Sequence, residues 1–171
     1  LKINDIPEEV VNKLQLIIID SFGLMVSAKN EPYIKSLINA LQEHGNCTLV
    51  GHDKKVNPFN ASIINGTAIH GEDFDDTFEG TPVHVGSVMV PAILSSAQAK
   101  NLDGQKFLKG LVVGSELICR LALVAPTAVH RQGFHPTAIF GAFGSSIGVS
   151  SLLGNTINEM SSGLGLSLIH I

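Results

Sequence analysis

Apolar positions recur every three or four residues along most of the chain, the spacing at which side chains share one face of an α-helix. The first run predicts a long helix whose inner face carries Val10, Leu14, Ile17, Ser21 and Leu24. Three consecutive isoleucines, residues 17–19, widen this face and indicate burial on more than one side. No stretch sustains the alternation expected of a half-buried strand, so we expect an all-α fold.

Proline and glycine mark where the helices are expected to begin and end. Asp5 is the expected N-cap of the first helix, and Gly45 is expected to follow the second. Residues 47–50 could form a short strand or an extended link, and residues 72–86 and 126–134 have the composition of loops. Five helices are expected to have a proline in the first turn, namely Pro7, Pro32, Pro58, Pro91 and Pro136.

Small residues dominate the last long helix. They recur every three or four positions between Ala138 and Gly148, a pattern that permits close approach of two helix backbones. In water such a helix is usually central and buried. We therefore expect helices packed around a buried central helical hairpin.

The composition indicates that this chain buries part of its surface against further sequence or another subunit. Of its 171 residues, 44% are hydrophobic and only 15% are charged, which leaves little charge to solvate an isolated surface. The chain begins with Leu1 rather than Met and ends in an uncapped apolar segment, residues 164–171. We expect residues 1–171 to be one partial domain, truncated at the C-terminus and also at the N-terminus.

Charge and residue usage exclude several classes of partner. The net charge is −4, there is no basic cluster, and there is one Tyr and no Trp, so no nucleic-acid surface is expected. Asn12, Lys13 and Asp20 make the first helix too polar for a membrane span. Cys47 and Cys119 have no metal-ligand spacing and indicate two reduced thiols, as is typical of a cytoplasmic protein.

Reactive side chains concentrate at residues 70–84 and 130–136. Two histidines with carboxylates could supply a base, an acid and a polar shell for proton removal beside a carboxylate group. The carboxylates could instead cap a short helix, with Asp73 or Asp76 acting through Thr77. A metal site is the weaker alternative, because the loop lacks EF-hand spacing and offers no obvious third ligand beside His70 and Asp73.

Four segments, in order, resemble the MmgE/PrpD family, which includes 2-methylcitrate dehydratase, cis-aconitate decarboxylase and iminodisuccinate epimerase. The first segment, N-G-T-A-I-H-G-E-D-F-D-D-T, is the most specific. The resemblance covers almost the whole chain, including S-L-L-G at residues 151–154. The four segments are Asn65–Thr77, His84–Ala92, Gly114–Arg120 and Gly133–Gly144.

The resemblance implies a helical domain, a smaller α/β lid domain that this chain lacks, a homodimer, and no metal or organic cofactor. It assigns catalytic roles to Asp73, His84 and His135, and substrate binding to Thr77. The gap between Asp73 and His84 is one residue longer than in the decarboxylase. A lysine and a tyrosine of the family site would lie downstream, so this chain alone is expected to be inactive.

The leading functional hypothesis is a hydro-lyase of the 2-methylcitrate dehydratase type, acting on a small di- or tricarboxylic acid. His135 and His84 would be the acid–base pair, and Asp73 would orient a histidine or bind a substrate hydroxyl. An epimerase of an amino- or imino-dicarboxylate, or a cis-aconitate-like decarboxylase, would share the same proton transfer. A non-enzymatic helical module is the alternative from a different class.

Overall fold

The computed structural model describes residues 3–41, 43–167 and 169, and in this part of the chain it has eight α-helices and one two-stranded sheet. The predicted all-α fold is therefore confirmed. His170 and the predicted uncapped end beyond residue 169 lie outside the described residues. In chain order the elements are α1 (Glu8–Ser27), α2 (Pro32–Ala40), β1 (His44–Thr48), β2 (Lys55–Val56), α3 (Pro58–His70), α4 (Val85–Ala99), α5 (Gly104–Val124), α6 (Ala128–Arg131), α7 (Pro136–Leu153) and α8 (Ile157–Ser167).

Prolines set three helix starts as the sequence predicts. Pro32, Pro58 and Pro136 lie in the first turns of α2, α3 and α7. A first-turn N–H has no partner within the helix, so proline loses no hydrogen bond there. The start of α3 is fixed further by Asn57, whose side-chain oxygen accepts from the Asn60 N–H at 2.8 Å.

Two predicted helix ends are wrong. Asp5 is not the N-cap of α1, because it lies in a separate 3-10 turn and Pro7 precedes the helix without a side-chain cap. Gly45 does not follow α2 directly, since α2 ends at Ala40 and Gly45 belongs to β1. A Cβ on Gly45 would collide with the backbone of Val56 on the paired strand. The glycine therefore serves the close approach of the two strands.

Three further segments differ from their predictions. Pro91 lies inside α4 rather than in its first turn, because α4 already begins at Val85. The predicted loop at residues 126–134 contains the one-turn helix α6. The extended stretch predicted at residues 47–50 is a strand only in part, because β1 begins earlier and ends at Thr48, which pairs with Lys55.

The centre of the fold is an antiparallel contact between α5 and α7 in which glycine faces glycine. Gly110 lies beside Gly148 and Gly114 beside Gly144. A Cβ on Gly114 would lie 2.7 Å from the Gly144 oxygen, and one on Gly148 would lie 2.9 Å from the Gly110 oxygen. Met89 of α4 packs over this contact, which we call the glycine seam. The predicted buried pair of central helices is therefore confirmed, and its backbones approach too closely for any side chain between them.

The other helices surround this centre. Helix α4 packs against α3, α5 and α7, α1 covers α3, α4 and α5, and α8 lies on α7. On the inner side of α1, Leu14, Ser21 and Met25 are buried. The isoleucine run is not buried on more than one side, because Ile19 is 68% exposed. The largest fully buried side chains include Met25, Ile34, Leu49, Ile64, Ile69, Met89, Ile93, Leu111, Ile118 and Leu152.

Two segments, Glu8–Asn30 and Pro136–Leu153, are long and apolar enough to cross a membrane by length and composition alone. The sequence analysis expected α1 to be too polar for a membrane span. By length and hydropathy alone, however, the segment that contains α1 qualifies as a candidate span. Core helices of water-soluble proteins pass the same criterion, and α7 forms the glycine seam. The absence of a membrane partner remains a prediction.

Candidate active site

Three histidines that are distant in sequence lie at the ends of three helices. His70 is the last residue of α3, His84 immediately precedes α4, and His135 immediately precedes α7. The ring centroids of His70 and His84 are 4.7 Å apart, those of His70 and His135 5.6 Å, and those of His84 and His135 6.5 Å. The predicted residues His84 and His135 are thus brought together, with His70 as a third imidazole.

A hydrogen bond joins the starts of α4 and α7. The backbone N–H of His84 donates to the Thr137 Oγ1 at 3.0 Å, and Thr137 is buried. The hydroxyl takes the place of a missing helical partner at the beginning of α4. Because His84 belongs to the cluster and Thr137 lies two residues after His135, the bond holds these two histidines near each other.

Asp75 lies beneath the imidazoles, with its side chain 0% exposed. The His70 Nδ1 is 3.0 Å from the Asp75 Oδ1 and 3.1 Å from the Oδ2, both within hydrogen-bond geometry. The His84 Nδ1 is 3.2 Å from the same Oδ1, an ion-pair distance that is not aligned for a hydrogen bond. A buried carboxylate needs such partners, because an isolated charge in the interior is costly.

Asp73 lies on the opposite, solvent side of His84. Its carboxylate is 79% exposed, and its Oδ1 is 3.7 Å from the His84 Nε2. The backbone of Asp73 has φ 56°, the left-handed conformation that non-glycine residues adopt rarely and Asp better than most. Such strain, when it occurs beside reactive groups, is a recognised feature of functional sites.

Asp76 has a structural contact. Its Oδ1 accepts from the Gly86 N–H at 2.8 Å, so it caps the start of α4 from ten residues upstream. This contact explains why α4 begins ahead of its predicted start. The capping alternative was thus right for Asp76 but named the wrong partner, since no local helix at Thr77 is involved. Burial, and then the nearby Asp75, raise the pKa of Asp76.

Thr77 lies apart from the imidazoles in the described contacts. With Asp76 it lines a cavity of about 970 Å³ between α1, α5 and residues 74–79, whose lining includes Lys13 and Cys119. None of the three histidines lines this cavity. His135 is exposed, and the side chains of His70 and His84 are 35% and 14% exposed, so the cluster is accessible from solvent. The substrate-binding role of Thr77 stays a prediction.

Partial burial and the neighbouring histidines favour a neutral His135. Partial burial, and then the neighbouring His70 and His84, lower the pKa of His135 below its usual value of 6.5, against an opposing effect of Asp73. A neutral imidazole at neutral pH can accept a proton. A neutral base beside a second imidazole held by a carboxylate is the minimum that acid–base catalysis requires.

The same side chains bear on the metal alternative. One ligand atom from each of His70, Asp73, Asp75 and His84 lies within 4.8 Å of the others, so the four could hold a divalent ion. However, both Asp75 oxygens already contact the His70 Nδ1, and an ion would have to displace that bond. The prediction of no metal and no organic cofactor stays a prediction.

Two residues at the centre of the cluster were not among the sequence-predicted site residues. His70 and Asp75 were considered only as members of a polar segment and as possible ligands in the weaker metal alternative. The signal that could have found them is the spacing H-x-x-x-x-D from the last turn of a helix into a tight loop, which lets the carboxylate turn back onto the ring.

Comparison with known proteins extends these observations. The sequence model of the MmgE/PrpD N-terminal domain matches residues 1–170 of this chain. The chain belongs to the MmgE/PrpD family. The resemblance stated from the four sequence segments is thereby confirmed, and so is the all-α fold expected for the N-terminal domain of the family.

Curated relatives of this MmgE/PrpD chain carry names of one enzyme type. A cis-aconitate decarboxylase-like protein, oryM, of Aspergillus oryzae is 27% identical over 98% of the chain and 37% of its own length. The cis-aconitate decarboxylase of Aspergillus terreus is 24% identical over 98% and 36%. That of Mus musculus is 28% identical over 99% and 36%. The chain thus spans little more than a third of the length of these relatives.

Proposed function

We propose that this chain supplies the acid–base side chains of a lyase that acts on a small di- or tricarboxylic acid. The observation that carries the proposal is the grouping of three imidazoles, His70, His84 and His135, two of which contact the buried Asp75. Three imidazoles with unequal surroundings can divide the roles of base and acid. Membership of a family that includes lyases supports the same reaction class.

In the proposed reaction, His135 is the base. Its lowered pKa leaves it neutral at pH 7, ready to take a proton from the carbon next to a substrate carboxylate. For a dehydration of the 2-methylcitrate type, His84 gives a proton to the departing hydroxyl, a C=C bond forms and water leaves. Asp73, exposed beside the His84 Nε2, is positioned to orient that ring or accept a substrate hydroxyl.

Decarboxylation is the second candidate, because the named relatives are cis-aconitate decarboxylases or similar to them. In that case the C–C bond to one carboxylate breaks, CO₂ leaves, and a histidine of the cluster protonates the carbon. Both reactions build negative charge beside a carboxylate and need cationic stabilisation. We propose that a lysine outside this chain provides it, and that this chain alone is inactive.

The test uses the longest polypeptide that carries this sequence. It is incubated in D₂O with 2-methylcitrate, cis-aconitate or iminodisuccinate, and products and solvent-derived deuterium are followed by NMR. We expect deuterium at a carbon next to a carboxylate for one of these acids. Absence of exchange and turnover with all of them would remove the proposal, and the acid that reacts identifies dehydration, decarboxylation or epimerisation.

We further propose a homodimer in which α1 contributes to the contact between subunits. Leu16, Ile19 and Val26 are 61%, 68% and 47% exposed and lie on one face of α1, opposite the buried Leu14. Sedimentation should detect a dimer that Ile19→Lys weakens. Gln105→Lys, which introduces the same charge at an exposed polar position on α5, should leave the dimer unchanged. A monomer at all concentrations would contradict the proposal.

The predicted absence of a membrane partner has its own test. Binding of the protein to lipid vesicles would contradict it.

A further inference from the structure

The buried carboxylate of Asp75 has no role in the reaction as proposed above, yet it contacts two of the three imidazoles. Its side chain is 0% exposed, so it cannot reach a substrate. Its ion-pair partners are the ring nitrogens His70 Nδ1, at 3.0 Å, and His84 Nδ1, at 3.2 Å. Whatever Asp75 contributes must therefore pass through the two histidines.

The two histidines present the same nitrogen to Asp75. Since a carboxylate accepts hydrogen bonds and cannot donate them, a ring that faces it is stabilised with a proton on Nδ1. The other nitrogen of each ring is then free to exchange a proton. For His84 that nitrogen, Nε2, lies toward the exposed Asp73, at 3.7 Å from its Oδ1. In His84, one ring nitrogen thus faces the buried carboxylate, and the other faces the exposed one.

The His84 Nδ1 strengthens this argument because it is buried and has no aligned hydrogen-bond partner. A buried donor without a partner is costly, and the Asp75 Oδ1 is an acceptor only 3.2 Å away. Hydrogen bonds between catalytic groups are often poorly aligned before substrate binds and shorten afterwards.

We propose that Asp75 is a positioning residue that holds His70 and His84 with their Nδ1 atoms protonated and their Nε2 atoms directed to the substrate. The inference deepens the proposed function and rests on it for its effect on turnover. The tautomers themselves do not depend on any substrate. The proposal about the tautomers can therefore be contradicted without contradicting the proposed reaction, and the reverse also holds.

The first measurement needs no variant. Nitrogen-15 chemical shifts of the histidine rings in the unmodified protein, at one pH near 7.5, report which nitrogen carries the proton. We expect a protonated Nδ1 in both His70 and His84. A neutral His84 with the proton on Nε2 alone would overturn the proposal, whether or not turnover is found.

The second measurement replaces the carboxylate by an amide. In Asp75→Asn one acceptor oxygen and one donor NH₂ face two imidazoles, so one ring must present a bare Nδ1 and change tautomer. We expect kcat to fall by roughly 10²- to 10⁴-fold while KM changes little, as for a histidine held in the wrong tautomer. Asp75→Glu keeps both acceptor oxygens and should recover part of kcat.

Controls separate positioning from folding. Asp53→Asn makes the same chemical change at an exposed site and should alter neither the ring shifts nor kcat. An Asp75→Asn protein that keeps wild-type tautomers and kcat would overturn the proposal. If that variant does not fold, the shifts of the unmodified protein and of Asp75→Glu still decide. Loss of the wild-type shifts on addition of EDTA would show that a metal, not Asp75, holds the rings.

Discussion

The glycine seam between α5 and α7 and the histidine cluster at the ends of α3, α4 and α7 are organised in opposite ways. In the seam, four glycines remove side chains so that two backbones can touch. In the cluster, imidazoles from three helix ends lie side by side, and Asp75 from the intervening loop contacts two of them. Helix α7 belongs to both, since Pro136 begins it beside His135 and Gly144 and Gly148 lie further along the same helix.

The comparison shows which contacts tolerate change. The seam is a steric fit between parts that cannot move apart without opening the core, so its substitutions should affect stability. The cluster is partly exposed and rests on a few polar contacts, so its substitutions should affect reactivity more than folding. Each of the following predictions tests that division, in order of decreasing expected effect.

Substitution of His135 tests the cluster. In the longest polypeptide that carries this sequence, His135→Ala should lower kcat by roughly 10²- to 10⁴-fold, because the base is lost. Stability should change little, since the ring is exposed. Steady-state kinetics and urea unfolding measure the two effects, with His44→Ala as the exposed control. Wild-type turnover from His135→Ala would end the assignment of this residue as the base.

The pH profile of the wild type bears on the same residue. The pKa of His135 is lowered below 6.5, so the ring loses its proton at a lower pH than an ordinary histidine. The acid limb of kcat/KM should therefore lie below pH 6.5 and be absent in His135→Ala. A limb above pH 7 in the wild type would speak against a neutral His135 base.

Substitution within the seam should act on stability. In Gly114→Ala the added methyl would meet the Gly144 oxygen at 2.7 Å and the side chain of Met89. Overpacking of this kind costs about 1–3 kcal/mol in the free energy of unfolding. Gly104→Ala, where a Cβ has open space, is the control and should be neutral or slightly stabilising. Equal urea midpoints for the two variants would refute the steric account.

Asp76 caps α4, the helix that follows His84 of the cluster and carries Met89 of the glycine seam. Asp76→Ala should lose about 1 kcal/mol of unfolding free energy, as for other N-cap losses. Asp76→Asn should lose less, because its amide oxygen can still accept from Gly86. The folded pKa of Asp76 is raised, so its carboxyl stabilises the fold most when protonated. Wild type should therefore gain stability relative to Asp76→Asn as the pH falls from 7 towards 4.

Backbone strain at Asp73 should give the smallest effect. Its φ of 56° suits glycine, so Asp73→Gly should keep or slightly increase stability while the carboxylate beside the His84 Nε2 is lost. Asp73→Ala should be less stable than Asp73→Gly by roughly 1 kcal/mol. Thermal unfolding of both variants checks this order, and the reverse order would show that the left-handed conformation is not retained.

The sequence predicted the helices and the seam because their causes are local. Apolar residues at helical spacing and Pro32, Pro58 and Pro136 determine most helices, and repeated small residues near Gly144 indicate close packing. The errors occur where a distant group acts. The start of α4 depends on Asp76, ten residues away, and Gly45 is required by a strand that lies beyond it.

The cluster was only partly predictable for the same reason. His84 and His135 were selected through family resemblance, and the structure brings them near each other. Asp75 was overlooked because three aspartates within four residues have the same chemistry, and the spacing of Asp75 from His70 was not used to choose among them. The folded loop gives them different surroundings: Asp73 is exposed, Asp75 contacts two imidazoles and Asp76 caps α4.

The location of all three histidines where helices begin or end has a consequence for divergence. Residues 71–84 can gain or lose a residue and shift His84 and the aspartates relative to His135 while the helices behind them keep their packing. A change in the length of this segment could therefore change which substrate carbon receives or gives up a proton. Relatives that share this scaffold could differ in product without any alteration of their interior.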